Sequence, residues 1–263
     1  MSLTLNIGAT GMLAQQLNVE VISNNISNMT TTGYKRQRAE FQDLLYQTKI
    51  RPGSQSSDAG TTIPSGIQQG LGVKAGSVYR VHQQGALEVT ENPFDLAITG
   101  EGYFLVQLPD GTPSYTRDGS FQMNQNGDLV TSDGYLLDPG ITIPIDALDV
   151  TINNSGEVLV KIEGQTALQN VGQVLTSRFA NPAGLDAIGS NLFVETTASG
   201  TATAGTPDTT PGYGAIEQGA LEASNVDVVS EMTSLIQAQR AYEMNSKIIQ
   251  TGDEMMSTVT QLR

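Results

Sequence analysis

The chain has 263 residues, 38% of them hydrophobic, with 28 glycines, no tryptophan, no cysteine and a net charge of −14. That length accommodates one large domain or two smaller ones. The acidity argues against nucleic acid and anionic membrane as partners, since both need a basic footprint; the missing thiols exclude disulfide frameworks, metal–thiolate centres and cysteine catalysis. The charge is uneven. Five bases against three acids leave residues 1–52 at +2, and three against six leave 221–263 at −3, so the stretch between them carries −13.

The amino end, MSLTLNIGATGMLAQQLNVEV, has no base before Lys35 and no continuous apolar run. It is therefore not expected to act as a cleaved signal peptide, and no stretch reaches the roughly 18 apolar residues of a membrane span. Leu5, Met12, Val19 and Ile26 recur every seven residues, with Ile22 and Met29 in the following turns. Such spacing predicts a helix with a narrow apolar seam. Gly33 reads as its C-terminal position, where a left-handed conformation is needed, and the β-branched run Thr30, Thr31, Thr32 supports an end there. Asn24, Asn25 and Asn28 lie beside the Ile26 seam position. They are expected to hydrogen-bond neighbouring helices and fix register, as a seam asparagine does in coiled coils. Tyr34 then begins an outward path, and Gly33 and Tyr34 form a hinge. Residues 34–74 read as an extended linker, with 50–66 (IRPGSQSSDAGTTIPSG) free of any periodicity.

Short alternating runs follow, among them DLAITG, YFLVQL, SYTRDGSFQM and DVTINNSGEVLVKI. Asp110-Gly111, Asp118-Gly119, Asn126-Gly127, Asp133-Gly134 and Ser155-Gly156 punctuate them with hairpin-turn chemistry. About eight strands are expected in an antiparallel β domain over 75–220. GTATAGTPDTTPGYG (200–214) reads as a second link, mobile or flatly extended. At the carboxyl end, Leu221, Val228, Leu235, Tyr242, Ile249 and Met256 form a strict seven-residue series. Ser224 with Asp227 resembles a capping box, placing the helix start near Asn225. From there to Leu262 the helix would be roughly 55 Å long at ~1.5 Å per residue. The expected fold class is α+β, with long N-terminal (1–33) and C-terminal (221–263) helices forming a coiled-coil-like inner domain, and a central antiparallel all-β domain. Two seams at opposite ends of one chain call for mutual packing and onward association.

No reaction chemistry emerges. The single histidine, His82, sits in a polar VHQQG context and reads as exposed or hydrogen-bonding. GLGVKAG and GEG lack the arrangement of a phosphate loop; MNQNGDL lacks the closing Glu of a calcium loop. The carboxylates Asp138, Asp146, Asp149, Asp253 and Glu254 carry no geometry that would make a glycosidase pair. No cofactor and no metal are expected. A β-rich binding module and a cell-wall hydrolase stand as alternatives to a structural protein.

SNNISNMTTTGYKRQRAEFQDLL and EASNVDVVSEMTSLIQAQRAYEMNSKIIQTGDEM, together with FDLAITGEGYFLV and SYTRDGSFQMNQNGDLVTSDGYLL, resemble the signatures of the bacterial flagellar rod and hook family. The resemblance runs nearly end to end. Length and the segment RQRAEFQDLLYQT with its following Pro/Gly/Ser stretch favour a distal rod subunit over a proximal one, the runner-up. The resemblance implies a non-enzymatic subunit, exported through the flagellar type III apparatus without cleavage and with no direct membrane insertion. It implies a rigid hollow helical homopolymer that crosses the periplasm and transmits torque from motor to hook. Its implied partners are further copies of itself, proximal rod and hook subunits, and the surrounding basal-body rings. The terminal helices would line the tube, with the β domain outside.

Overall fold

In the computed structural model, which describes residues 3–53, 64–163 and 167–261, the chain divides into two compact units. Met1–Ser27, Gln37–Tyr79 and Asp227–Arg263 form a helical unit; Asn28–Arg36 and Arg80–Val226 form a β unit.

The helical unit holds α1 (Leu3–Ser27) and α2 (Val228–Gln261). Helix α1 stops at Ser27, and residues 28–30 turn out of it. Gly33 is left-handed, φ 68°, but lies six residues beyond the end, where it serves the β unit instead of capping the helix. Helix α2 is capped by Asp227, whose Oδ1 accepts from Val229 N at 3.2 Å. The expected Ser224 box does not form, and Leu221 belongs to a strand, Ala220–Glu222. The capping carboxylate sits next to the first helical residue, one turn later than Ser224 proposed. At 34 residues, α2 is about 51 Å long.

Within 34–74, Gln37–Asp43 pairs with Val73–Arg80, and Tyr46–Ile50 pairs antiparallel with Ile67–Gly70, Tyr46 opposite Gly70. The middle of the expected link 50–66, residues 54–63, lies outside the described residues.

Among the described residues the strands of the β unit pair antiparallel, but they are shorter and more numerous than expected. Tyr103–Gln107 is its centre. It pairs with Pro113–Thr116 along one edge, and with Leu136–Leu137 and Thr176–Arg178 along the other. Its side chains alternate between two cores, as strand geometry requires. Phe104 and Val106 join Leu96, Ile98, Phe121, Leu129 and Ile216; Tyr103 joins Tyr115, Phe179 and Phe193, with Leu105 packed alongside. Glycines 111, 127, 134 and 156 have positive φ, as hairpin turns demand. Gly119 does not turn this way. A Cβ there would lie 1.7 Å from Leu96 O, so the position needs glycine for close approach.

The stretch 200–214 is not a free link. Thr203–Gly205 pairs with Thr176–Arg178, and Tyr213 OH donates to Thr203 O at 2.8 Å. Thr206 and Thr210 hydroxyls meet at 2.9 Å. Low complexity here reflects hydroxyl-rich turns that bond to themselves, not absence of structure.

Candidate assembly interface

The two helices run antiparallel and close together, because small residues face each other. A Cβ at Gly8 would come 2.8 Å from Ile249 Cγ1, one at Gly11 2.8 Å from Asn245 Nδ2, and one at Gly252 3.3 Å from Leu5 Cδ2. The deepest positions of α2 are Glu231, Ala238 and Gly252, with Asn245 completing a seven-residue series. This series lies three residues after the expected apolar one. The period was legible, but the phase was not, because Glu, Ala, Asn and Gly carry little apolar signal.

The expected interface residues separate into groups. Ile22 and Asn25 are buried. Leu5, Met12, Val19 and Ile26, with Val228, Leu235 and Ile249, are half-buried flanks of the helix pair. Tyr242 and Met256 are exposed, as is Asn24. Asn28 lies in the β unit, where its Oδ1 accepts from Thr31 Oγ1 at 3.2 Å.

Asn25 is engaged within the chain. Its Nδ2 donates to Gln37 O at 2.8 Å and to Glu231 Oε2 at 3.2 Å, while Gln37 N donates to Asn25 Oδ1 at 2.8 Å. One buried amide thus fastens α1 to both α2 and the first strand. The register it fixes is internal, where an inter-subunit contact had been expected.

The outer side of α2 carries Val229, Met232, Ile236, Met244, Ile248 and Met255, with exposures from 46% at Ile248 to 75% at Val229. Beside it, a groove of about 370 Å³ is lined by Val19 and Tyr242 with Gln16, Glu20, Gln239 and Glu243. An amphipathic helix ordinarily buries such a stripe.

The expected hinge is an anchor inside the β unit. Gly33 N donates to Glu222 O at 2.7 Å, and a Cβ on Gly33 would sit 2.7 Å from Arg117 C. Tyr34 is half-buried beside it. Lys35, 1% exposed, donates from Nζ to Glu222 Oε1 at 2.6 Å and to Gln83 O at 2.9 Å. Arg117 Nη1 reaches Glu222 Oε2 at 3.1 Å, Nη2 reaches Gly100 O at 2.6 Å, and the guanidinium lies 5.4 Å over the Tyr103 ring. Glu222 Oε1 also accepts from Gly85 N at 2.8 Å. Burial pulls the Lys35 ammonium below the usual lysine range, and Glu222 opposes that pull. Nearby, His82 Nδ1 meets Tyr103 OH at 2.7 Å. Burial first, then the Lys35, Arg80 and Arg117 cations, push the imidazole down to about 4; burial pushes Tyr103 up to about 12. The sequence reading missed this cluster. Its signal was a charged residue inside each of three otherwise apolar or turn-rich stretches: Lys35 in TTGYK, Arg117 in SYTRDG and Glu222 in GALEAS.

Three family models match the chain: "Flagella basal body rod protein" over 5–35, "Flagellar hook protein FlgE/F/G D1 domain" over 97–160, and "Flagellar basal body rod FlgEFG protein C-terminal" over 217–262. The chain is 60% identical to the flagellar basal-body rod protein FlgG of Caulobacter vibrioides, over 98% of both chains. It is 51% identical to FlgG of Agrobacterium fabrum, again over 98% of both. The FlgG of Bacillus subtilis is 43% identical, over 99% of this chain and 98% of that one. The chain belongs to the flagellar basal-body rod and hook family. This is a structural family, not an enzymatic one. Each of the three stretches matched to rod and hook models supplies one member of the buried cluster: Lys35, Arg117 and Glu222 respectively. Among the described residues, no helix of this rod-family chain is long and apolar enough to cross a membrane, and no group of three His, Asp or Glu is placed to hold a metal.

Proposed function

We propose that the chain is a structural subunit of the flagellar distal rod in the basal body, and that it polymerises into a rigid hollow helical shaft carrying torque from motor to hook. The observation that carries the assembly mode is the exposed apolar side of α2. Six aliphatic or methionine side chains, Val229 to Met255, stand outward on a helix already packed against α1. Fully burying one such side chain contributes roughly 1.5–3 kcal/mol. A face of six therefore supplies enough to order and join subunits after entropy is offset. A head-to-tail contact whose rotation does not close on itself extends as an open helix. In this reading the helical unit, Met1–Ser27, Gln37–Tyr79 and Asp227–Arg263, contributes the tube wall, and the acidic β unit, Asn28–Arg36 and Arg80–Val226, faces the surrounding ring proteins. Export proceeds without cleavage through the flagellar apparatus, and the ends of the tube meet proximal rod and hook subunits.

The test is polymerisation of the full chain, followed by electron microscopy. Wild type is expected to form straight tubes; Met244→Glu with Ile248→Glu is expected to abolish them while hydrogen exchange in the β unit stays unchanged. Normal tubes from that double variant would refute the assembly mode.

A further inference from the structure

We propose that the Lys35–Glu222–Arg117 cluster makes closure of the β unit conditional on its last segment: the Glu222 carboxylate is the counter-ion that allows both cations to be buried, so the unit stays open until residues 215–225 are in place.

The charges come from three distant parts of the chain. Lys35 precedes the β unit's main stretch, Arg117 lies within it, and Glu222 comes near its end. At 1%, 5% and 1% exposure, two cations share one carboxylate away from water. Burying a charge without a partner is costly, and two like charges together raise that cost. Arg117 Nε has no hydrogen-bond partner among the described residues, so the guanidinium depends on the bonds from its two Nη atoms. One of those runs to Glu222.

The same final segment completes the backbone. Ala215–Gln218 pairs with Leu96–Thr99, and Ala220–Glu222 pairs with Leu87–Val89. Gly33 N donates to Glu222 O, Thr90 N to Gly219 O, and Arg36 N to Asn225 Oδ1. Asn225 Nδ2 returns bonds to Val81 O and Gln83 O. Leu96, Ile98 and Ile216 are each at most 1% exposed in the shared core. A chain made from its amino end presents Lys35 and Arg117 before Glu222 exists. Until then the opening strands have neither their hydrogen-bond partners nor a counter-ion. Pairing the first strands with the last also raises the entropic cost of closing early. The unit is thereby kept from folding while incomplete.

The test uses full-length protein in dilute solution, read by hydrogen exchange at Leu96–Thr99 and Leu87–Val89, and so does not depend on polymerisation. Glu222→Gln is expected to lower protection there at least about hundredfold. Adding Lys35→Met, which removes one cation, is expected to restore it to within about tenfold of wild type. Glu217→Gln, on the exposed side of the same terminal segment, is expected to change nothing. Unchanged protection in Glu222→Gln overturns the proposal. So does failure of the double variant to recover, including a double variant that does not fold. If Glu222→Gln itself fails to fold, a folded double variant supports the counter-ion role. In a series of ribosome-stalled nascent chains, the folding transition is expected only once residue 225 has left the ribosome. A transition at lengths exposing only residues up to 214 refutes the dependence on the last segment.

Discussion

Asn25 shows how much one side chain settles in the helical unit. Its amide bonds to two backbone groups of Gln37 and to Glu231. Replacing it removes one partner of the buried Glu231 carboxylate and the side-chain acceptor of the Gln37 N–H. Asn25→Ala is expected to lower stability by about 2–4 kcal/mol, measured as a shift in the urea midpoint of full-length protein. His82 gives a pH dependence. In the folded chain it titrates at about 4, below its ordinary 6.5. Above pH 6.5 the ring is neutral in both states and its contribution is complete. As pH falls from 6.5 towards 4, the unfolded chain takes up a proton that the folded chain refuses, so stability declines across that window and levels off below it. Lys35, Arg80 and Arg117 set this refusal with burial, while Tyr103 supplies the hydrogen bond and Glu222 holds two of the cations. Urea midpoints at pH 7, 5 and 4 are expected to fall for wild type and to fall less for His82→Gln.

Between elements, the helix pair turns on residues with almost no side chain. At Gly11 a Cβ would meet Asn245 Nδ2 at 2.8 Å. That atom ends a movable side chain, so Gly11→Ala is expected to be near neutral, the gain in helix propensity of roughly 0.5–1 kcal/mol offsetting the displaced amide. Gly11→Leu cannot be absorbed this way and is expected to separate α1 from α2, seen as faster hydrogen exchange along both helices. Both helices, their sevenfold period and the turn chemistry at Gly111, Gly127, Gly134 and Gly156 were legible in the sequence, because hydrophobic spacing and Asn/Asp–Gly pairs report local geometry. The phase of the helix contact was not legible. It rests on Gly8, Gly11, Ala238 and Gly252, which only a facing backbone makes meaningful. Gly33 is left-handed, as its sequence context predicts, but it serves the β unit and not the helix end, since its constraint comes from Arg117, 84 positions further along the chain. The Asn residues near Ser27 have the pattern of polar seam positions, and only the fold shows that Asn25 turns inward to Gln37 and Glu231.

Over the whole molecule, the charge is concentrated where the β unit lies: residues 53–220 carry −13 of the net −14. Like-charged outer surfaces repel across distances comparable to the Debye length, about 30 Å at 0.01 M salt and 8 Å at 0.15 M. Assembled tubes are therefore expected to stay dispersed at low ionic strength and to bundle sideways as salt rises, followed by light scattering. Tubes that bundle equally at both salt concentrations would show that the acidic surface is not what separates them. The placement of Glu222 has a mechanical consequence as well. The main stretch of the β unit begins at Arg80 and ends at Val226, and the ladder between them starts with Leu87 opposite Glu222. Tension applied at those two points peels that ladder one rung at a time, the loading direction in which paired strands resist least. The first rung to be stressed is the one carrying a carboxylate gripped by Lys35 and Arg117. A domain that would otherwise open like a zipper has a buried pair of ionic contacts at the end where the pull begins.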